Sequence, residues 1–226
     1  MTAMETFEAY TSWLRDNVPL AYENLAPPAT PAQLDELEAL IGKELPADVR
    51  GVLSIHNGQR KTMTASRSAY ANPCLPTLSF LSTESIAECW QEWAEVRSAS
   101  DIEDLQEMGG VLPGAEGRVK PLYTSPGWIP LWSDPREPDY IGLDLDPDEY
   151  GIAGQIINFG RNEDQHFLAA SSFGELLLIL HDEVRTGAWR ATQISDGAQM
   201  LPWFGDPEEH FFNALYERFE QRSITD

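Results

Sequence analysis

Three aspartates, Asp144, Asp146 and Asp148, stand at alternate positions in "GLDLDPDEYGIAGQ". Oxygen ligands spaced in this way begin the loop with which an EF-hand wraps a calcium ion. The pattern fails where that loop is most demanding. Glu149 stands where the sharp turn needs glycine, Gln155 replaces the bidentate glutamate, and Pro147 stiffens the turn. At most a weaker cation site remains. Strand alternation gives a second account. Ile141, Leu143 and Leu145 then form a core face, with Tyr140, Gly142 and Asp144 on the other. Asp146-Pro147-Asp148 enters a turn that Gly151 and Gly154 end, and Ile157 and Phe159 resume a core face on the returning strand. The acids are then outward or in the turn, where acids are common.

Other catalytic constellations are missing from the sequence. It has no G-x-S-x-G elbow, no Walker A lysine, no G-x-G-x-x-G and no H-E-x-x-H. His56, His166, His181 and His210 are scattered and read as packed, capping or solvated side chains rather than bases. Cys74 and Cys89 form no C-x-x-C pair and lack the spacing of zinc ligands, so two buried or half-buried thiols in a reducing compartment are expected. With 37 carboxylates, some pair must lie close by chance, so abundance does not argue for a glycosidase. The expectation is a protein with no catalytic residues, no metal and no cofactor.

Charge and aromatic residues speak to partners. Asp and Glu number 37 against 15 Lys and Arg, a formal net charge of −22. Phosphate backbones and anionic membranes would be repelled, whereas a basic protein would be steered in. Tryptophan is frequent both in binding hot spots and in cores. Alternation along "WIPLW" puts Trp128, Pro130 and Trp132 on one face and Ile129 and Leu131 on the other. An exposed acidic and aromatic surface made of Trp128, Trp132, Asp134, Asp139, Asp144, Asp146, Asp148 and Glu149 is the candidate partner-binding site. Exposed aromatics also permit a homodimer. The first residues carry acids and no unbroken apolar run, so no signal peptide is expected. "ELLLILHDE" is too short to span a bilayer. These features favour the cytoplasm.

The elements that would position these residues follow from periodicity. Helices are predicted over Thr6 to Asn17, from Thr30 to a stop at Gly42, from Pro46 to Asn57-Gly58, through "SFLSTESIAECWQEWAEV", and briefly near Asp101 to Met108. Thr30-x-x-Gln33 is a capping box with Pro31 at the first helical position. Residues 59 to 80 read as polar and irregular. The period then changes to alternation, giving strands at 127–132, 139–145, 153–160 and 165–171. Two more helices follow, capped by Ser172-x-x-Glu175 and by Asp206-Pro207-x-Glu209, with Trp189 and Trp203 in late loops. Helices, then consecutive strands, then helices argue for α+β, with a mainly antiparallel, mixed sheet of about four to six strands and flanking helices.

The order of three blocks resembles the SUKH superfamily of bacterial toxin-immunity proteins and fungal cell-wall assembly regulators. The first block runs from Leu25 to Gln59 and carries Leu37, Glu38, Gly42, Leu45, Pro46, Asn57 and Gly58. The second is "VKPLYTSPGWIPLWSD", with a Trp-Ile-Pro strand. The third is "GLDLDPDEYGIAGQIINFG" followed by "FLAASSFGELLLIL". The resemblance implies one domain over 1–226, with a SUKH-like core at 25–185, an N-terminal helical extension at 1–24 and a C-terminal loop and helix at 186–226. It also implies a non-enzymatic binding module. The first expectation is an immunity protein that neutralises a cognate, basic bacterial toxin. The alternative is an intracellular regulator or scaffold of the cell-wall assembly type.

Overall fold

Thr30 and Gln33 cap each other as the sequence predicts: the Thr30 hydroxyl accepts from the Gln33 amide, and the Gln33 side chain accepts from the Thr30 amide at 2.9 Å. This reciprocal cap opens one of the helices in the computed structural model, which describes residues 1–60 and 72–223. The helices are α1 (Ala3–Asn17), α2 (Pro19–Asn24), α3 (Pro31–Ile41), α4 (Ala47–Leu53), α5 (Thr83–Arg97), α6 (Ile102–Gln106), α7 (Phe173–Arg185) and α8 (Phe211–Ser223). The strands are β1 (Ser79–Phe80), β2 (Gly110–Val111), β3 (Trp128–Ser133), β4 (Asp139–Asp144), β5 (Gln155–Gly160), β6 (Gln165–His166), β7 (Leu168–Ala170), β8 (Ala191–Asp196) and β9 (Gln199–Phe204). The segment expected to be irregular over 59 to 80 lies in part, from 61 to 71, outside the described residues.

The five-stranded sheet has the order β1-β3-β4-β5-β7 and is antiparallel throughout. A parallel β2–β6 pair and an antiparallel β8–β9 hairpin stand beside it. The architecture is α+β. The β8–β9 hairpin occupies residues read from sequence as loop, and α8 begins at Phe211, past the predicted cap. Asp206 instead accepts from the Glu208 amide at 2.9 Å and holds a turn.

Sequence alternation predicted one buried and one outward face for the central strands. Instead β3, β4 and β5 are buried along their whole length. Helices cover both sides. Trp132 lies against Phe173 of α7 and Phe211 of α8, at centroid distances of 6.4 and 6.2 Å. Tyr140 lies on the α5 side, in hydrogen-bonding reach of Cys89 and Trp93. A bulge decides which residues face which helix. The register pairs Pro130 with Gly142 but Trp132 with Ile141, leaving Leu131 as the extra residue. A bulge shifts the alternation by one, so Trp128 and Trp132 point to opposite faces rather than sharing one. Trp128 packs on Phe159 and His166, away from α7 and α8.

Two family-type motifs prove to be joints. Glu38 accepts from the Leu45 amide at 2.9 Å and pairs with Arg50 at 2.5 Å, closing the α3–α4 turn. Asn57 accepts from the Thr83 amide at 2.8 Å, and Gln59 accepts from the Cys74 and Phe80 amides at 2.9 and 3.0 Å. Between them Gly58 has φ +65°, and a Cβ there would lie 2.4 Å from the Leu81 carbonyl carbon. No side chain fits that approach. The core is one cluster running from Phe7 to Phe219. Helix α1 belongs to it: Phe7, Tyr10 and Leu14 are buried, and the Tyr10 hydroxyl donates to the Cys74 carbonyl at 2.5 Å.

Candidate functional site

The acidic hairpin turn is anchored at its base by a buried carboxylate. Asp144 ends β4 with no exposed surface. Its Oδ2 accepts from Gln155 Nε2 at 2.9 Å and its Oδ1 from the Asp146 amide at 3.0 Å. Gln155 also donates to the Arg118 carbonyl at 2.8 Å and accepts from the Ile152 amide at 3.1 Å. Burial holds the Asp144 carboxyl above its ordinary value, against the lowering effect of the Gln155 and Asp146 donors. Asp144 is therefore a clasp across the turn, not an outward acid. β4 is buried along its whole length, and Gln155 supplies the donor that a buried carboxylate needs.

The next acids step outward. Asp146 pairs with Lys120 at 2.8 Å and accepts from the Ser125 hydroxyl at 3.3 Å. The Lys120 hydrogen bond is the main cause that holds its carboxyl low. Asp148 is half-buried, and Glu149 is exposed. The backbone beneath them is stitched to the preceding loop, with the Asp148 amide on the Arg118 carbonyl at 3.1 Å and the Tyr150 amide on the Gly117 carbonyl at 2.7 Å. Lys43 Nζ reaches the Leu145 carbonyl at 3.4 Å, tying the turn to the α3–α4 connection. The turn's crest exposes Tyr150 by 71% and Ile152 by 64%. Sequence reading passed over this pair. Their signal was present: two large apolar residues flanked by Gly151 and Gly154 in a turn already assigned to the surface.

The other candidate residues divide. Trp128 and Trp132 are core, and Asp139 is 7% exposed. Asp139 accepts from the Asn162 backbone and side-chain amides, both at 2.9 Å, and so shapes the turn after β5. The expected exposed surface is corrected at these three residues and at Asp144. Asp134 is half-buried at the end of β3. His210 Nε2 donates to it at 2.8 Å, while His210 Nδ1 accepts from the Phe212 amide at 3.2 Å. Burial pushes Asp134 up, but the His210 and Arg136 donors outweigh it and hold the carboxyl low. His210 thus joins β3 to the start of α8. The structure leaves Asp146, Asp148 and Glu149 together on the turn, with Asp134 elsewhere.

The remaining titratable groups are also built in. His166 is fully buried, with Nε2 2.7 Å from the Leu122 carbonyl and Nδ1 3.1 Å from the Asn158 carbonyl. Burial holds its pKa below the ordinary value. His56 Nδ1 lies 2.8 Å from the Ala26 carbonyl. Cys74 is a buried free thiol and Cys89 a half-buried one. Among the described residues no group of three His, Cys, Asp or Glu could hold a metal ion, and no helix is long and apolar enough to cross a membrane.

Fold and turn together define an α+β module whose acidic hairpin is held in shape by its own hydrogen bonds and displays a small acidic and apolar crest. The chain belongs to the SMI1 / KNR4 family (SUKH-1), whose profile matches residues 28–179. It is 30% identical over 96% of its length to a "KNR4/SMI1 homolog" of Yarrowia lipolytica, covering 35% of that protein. It is 31% identical over 92% of its length to the "Cell wall biosynthesis/cell cycle regulator smi1" of Schizosaccharomyces pombe, covering 40% of it. Against the "Cell wall assembly regulator SMI1" of Saccharomyces cerevisiae, identity is 26% over 81% of this chain and 41% of the relative. The chain thus spans about two fifths of the length of these curated relatives. Two of the three names are those of regulators and none is that of an enzyme, and they favour the regulator alternative over the toxin-immunity expectation.

Proposed function

We propose that this chain is a non-enzymatic regulatory module of the cell-wall assembly type, acting by binding a protein partner in the cytoplasm. The observation that carries the reading is the similarity to named fungal cell-wall regulators over 92% and 81% of the chain rather than over a short motif. A net charge of −22 supports a basic protein partner over nucleic acid or an anionic membrane. The turn crest of Asp148, Glu149, Tyr150 and Ile152 supplies contact chemistry of the right kind: apolar anchors with acids at their edge. Free thiols at Cys74 and Cys89 suit a reducing compartment.

The test is a domain exchange. The matching region of the S. cerevisiae regulator is replaced by this chain, and growth of the resulting strain on a glucan-binding dye is measured. Restored resistance is the expected result. A stably expressed exchange protein that restores nothing overturns the reading.

A further inference from the structure

A second surface has the shape of a binding site and takes no part in the acidic turn. Between α5, α6 and the end of the central sheet where β4 begins and β5 finishes lies an open cleft of about 590 Å³, within the range of sites that hold a ligand. Trp93, Tyr123 and Tyr140 form its aromatic lining, with Val96, Leu105 and Pro138 beside them. The Trp93 and Tyr123 rings meet edge to face at 5.6 Å, which fixes that wall. Two charged residues also line the cleft: Glu92 on the α5 side and Arg161 in the turn after β5. Arg161 is exposed and, among the described residues, has no ion-pair partner.

The charge around the cleft selects its occupant. Between residues 92 and 107 the chain carries Glu92, Glu95, Asp101, Glu103, Asp104 and Glu107 against Arg97 alone, and all six acids are exposed. Arg97, whose guanidinium lies over the Trp90 ring at 5.0 Å and donates to the Thr124 hydroxyl at 3.3 Å, offsets only one of the six charges. A second copy of this chain would bring a further −22 to the same place and be repelled. An apolar side chain flanked by positive charge would be attracted and then buried. We infer that the cleft between α5, α6 and the sheet docks a short segment of a partner protein in which a large aliphatic or aromatic residue stands beside Lys or Arg. The apolar residue fills the Trp93–Tyr123–Tyr140 wall, the basic residue meets Glu92 and Glu95, and Arg161 donates to main-chain carbonyls of the segment. The inference rests on the reading of the chain as a protein-binding regulator and names the chemistry of what it binds.

The test pans a random peptide library of about twelve residues against the whole chain, with peptide affinity then measured by fluorescence anisotropy at low and high salt. Enriched peptides are expected to pair a large apolar residue with Lys or Arg and to weaken as salt rises. Their affinity is expected to fall about tenfold or more in Glu92→Lys/Glu95→Lys, and to be unchanged in Glu217→Lys on α8. Both glutamates are exposed, so thermal melts of the double variant should match the parent. Tyr123→Ala, which removes the apolar wall, should lose binding without a salt-dependent component. The inference is overturned if nothing is enriched, if the enriched peptides are acidic or uncharged, or if they bind the cleft variants as well as the parent. Self-association that disappears in Tyr123→Ala would assign the cleft to a second copy and overturn it as well. Loss of peptide binding with intact domain exchange removes the cleft alone, whereas intact peptide binding with failed exchange removes the regulatory reading alone.

Discussion

Gln155 donates its side-chain amide to the Asp144 carboxylate at 2.9 Å, across the two strands that the acidic turn connects. The same amide group reaches the Arg118 carbonyl, and its oxygen takes the Ile152 amide. One side chain therefore satisfies three partners, of which the Asp144 carboxylate is fully buried. Gln155→Ala should cost about 2 kcal/mol or more, because it leaves the buried Asp144 carboxylate without its side-chain donor. Asp144→Ala should cost a similar amount. Urea titration of the two single variants and the double variant should show clear non-additivity, with the second change costing much less than the first. Additive costs would mean that the two side chains do not act as a unit.

Glu163 gives a pH dependence. It lies against Asn158, whose side-chain amide donates to it, and burial raises its pKa to about 7. The folded protein then holds this proton where the unfolded chain, near the ordinary carboxyl value of 4.5, has lost it. Native protein binding the extra proton means that stability falls as pH rises from about 4.5 to about 7. Glu163→Gln keeps a neutral group in place and should remove that part of the fall. The difference in denaturation midpoint between parent and variant should be small near pH 4 and favour the variant above pH 7. A constant difference across that range would contradict the assignment.

Gly142 and Gly174 should respond oppositely to alanine. A Cβ at Gly142 would lie 2.1 Å from the Ile129 carbonyl oxygen on the neighbouring strand. Backbone cannot give way there without breaking the β3–β4 ladder, so Gly142→Ala should cost about 3 kcal/mol or more and sharply reduce soluble yield. A Cβ at Gly174, in the first turn of α7, would meet Ala3 Cβ at 3.6 Å, an ordinary contact. Gly174→Ala should be neutral or stabilise by about 0.5–1 kcal/mol. Thermal melts of the two variants decide both.

The turn crest separates binding from stability. Glu149 and Tyr150 are exposed and Asp148 is half-buried, so Asp148→Lys/Glu149→Lys with Tyr150→Ala should move the denaturation midpoint by little, about 0.5 kcal/mol or less for each exposed change. The same variant should abolish the dye resistance restored by the domain exchange. Full resistance in a folded triple variant would move the partner-binding surface away from this turn.

Local signals made the helices legible. Thr30, Gln33, Pro31 and Gly42 mark the ends of α3, and all four do so by bonds or dihedrals within a few residues. The strands were legible as elements but not as faces. Trp128 and Trp132 have the same parity in sequence, and only the extra residue at Leu131 sends them to opposite sides of the sheet. Alternation puts Asp144 outward because it assumes one wet face, whereas β4 is buried on both faces and Gln155, eleven residues on, supplies the compensating donor. The β8–β9 hairpin is hidden in the sequence because Pro202 lies inside it. A proline usually demotes a strand, and here it occupies a two-stranded ladder with open edges. The cleft gave no sequence signal, since Trp93, Tyr123, Tyr140 and Arg161 come from four separate elements.

Helix α1 has a consequence for how the protein is made. Its buried residues Phe7, Tyr10 and Leu14 share a core with Leu176 and Leu180 of α7, more than 150 residues later in the chain. During synthesis the amphipathic first helix leaves the ribosome on the order of 10 s before that partner exists. Until then its apolar stripe must be shielded by α4, by transient collapse or by a chaperone. The contact between the two helices closes a loop of more than 150 residues, which places it among the slow, late events of folding.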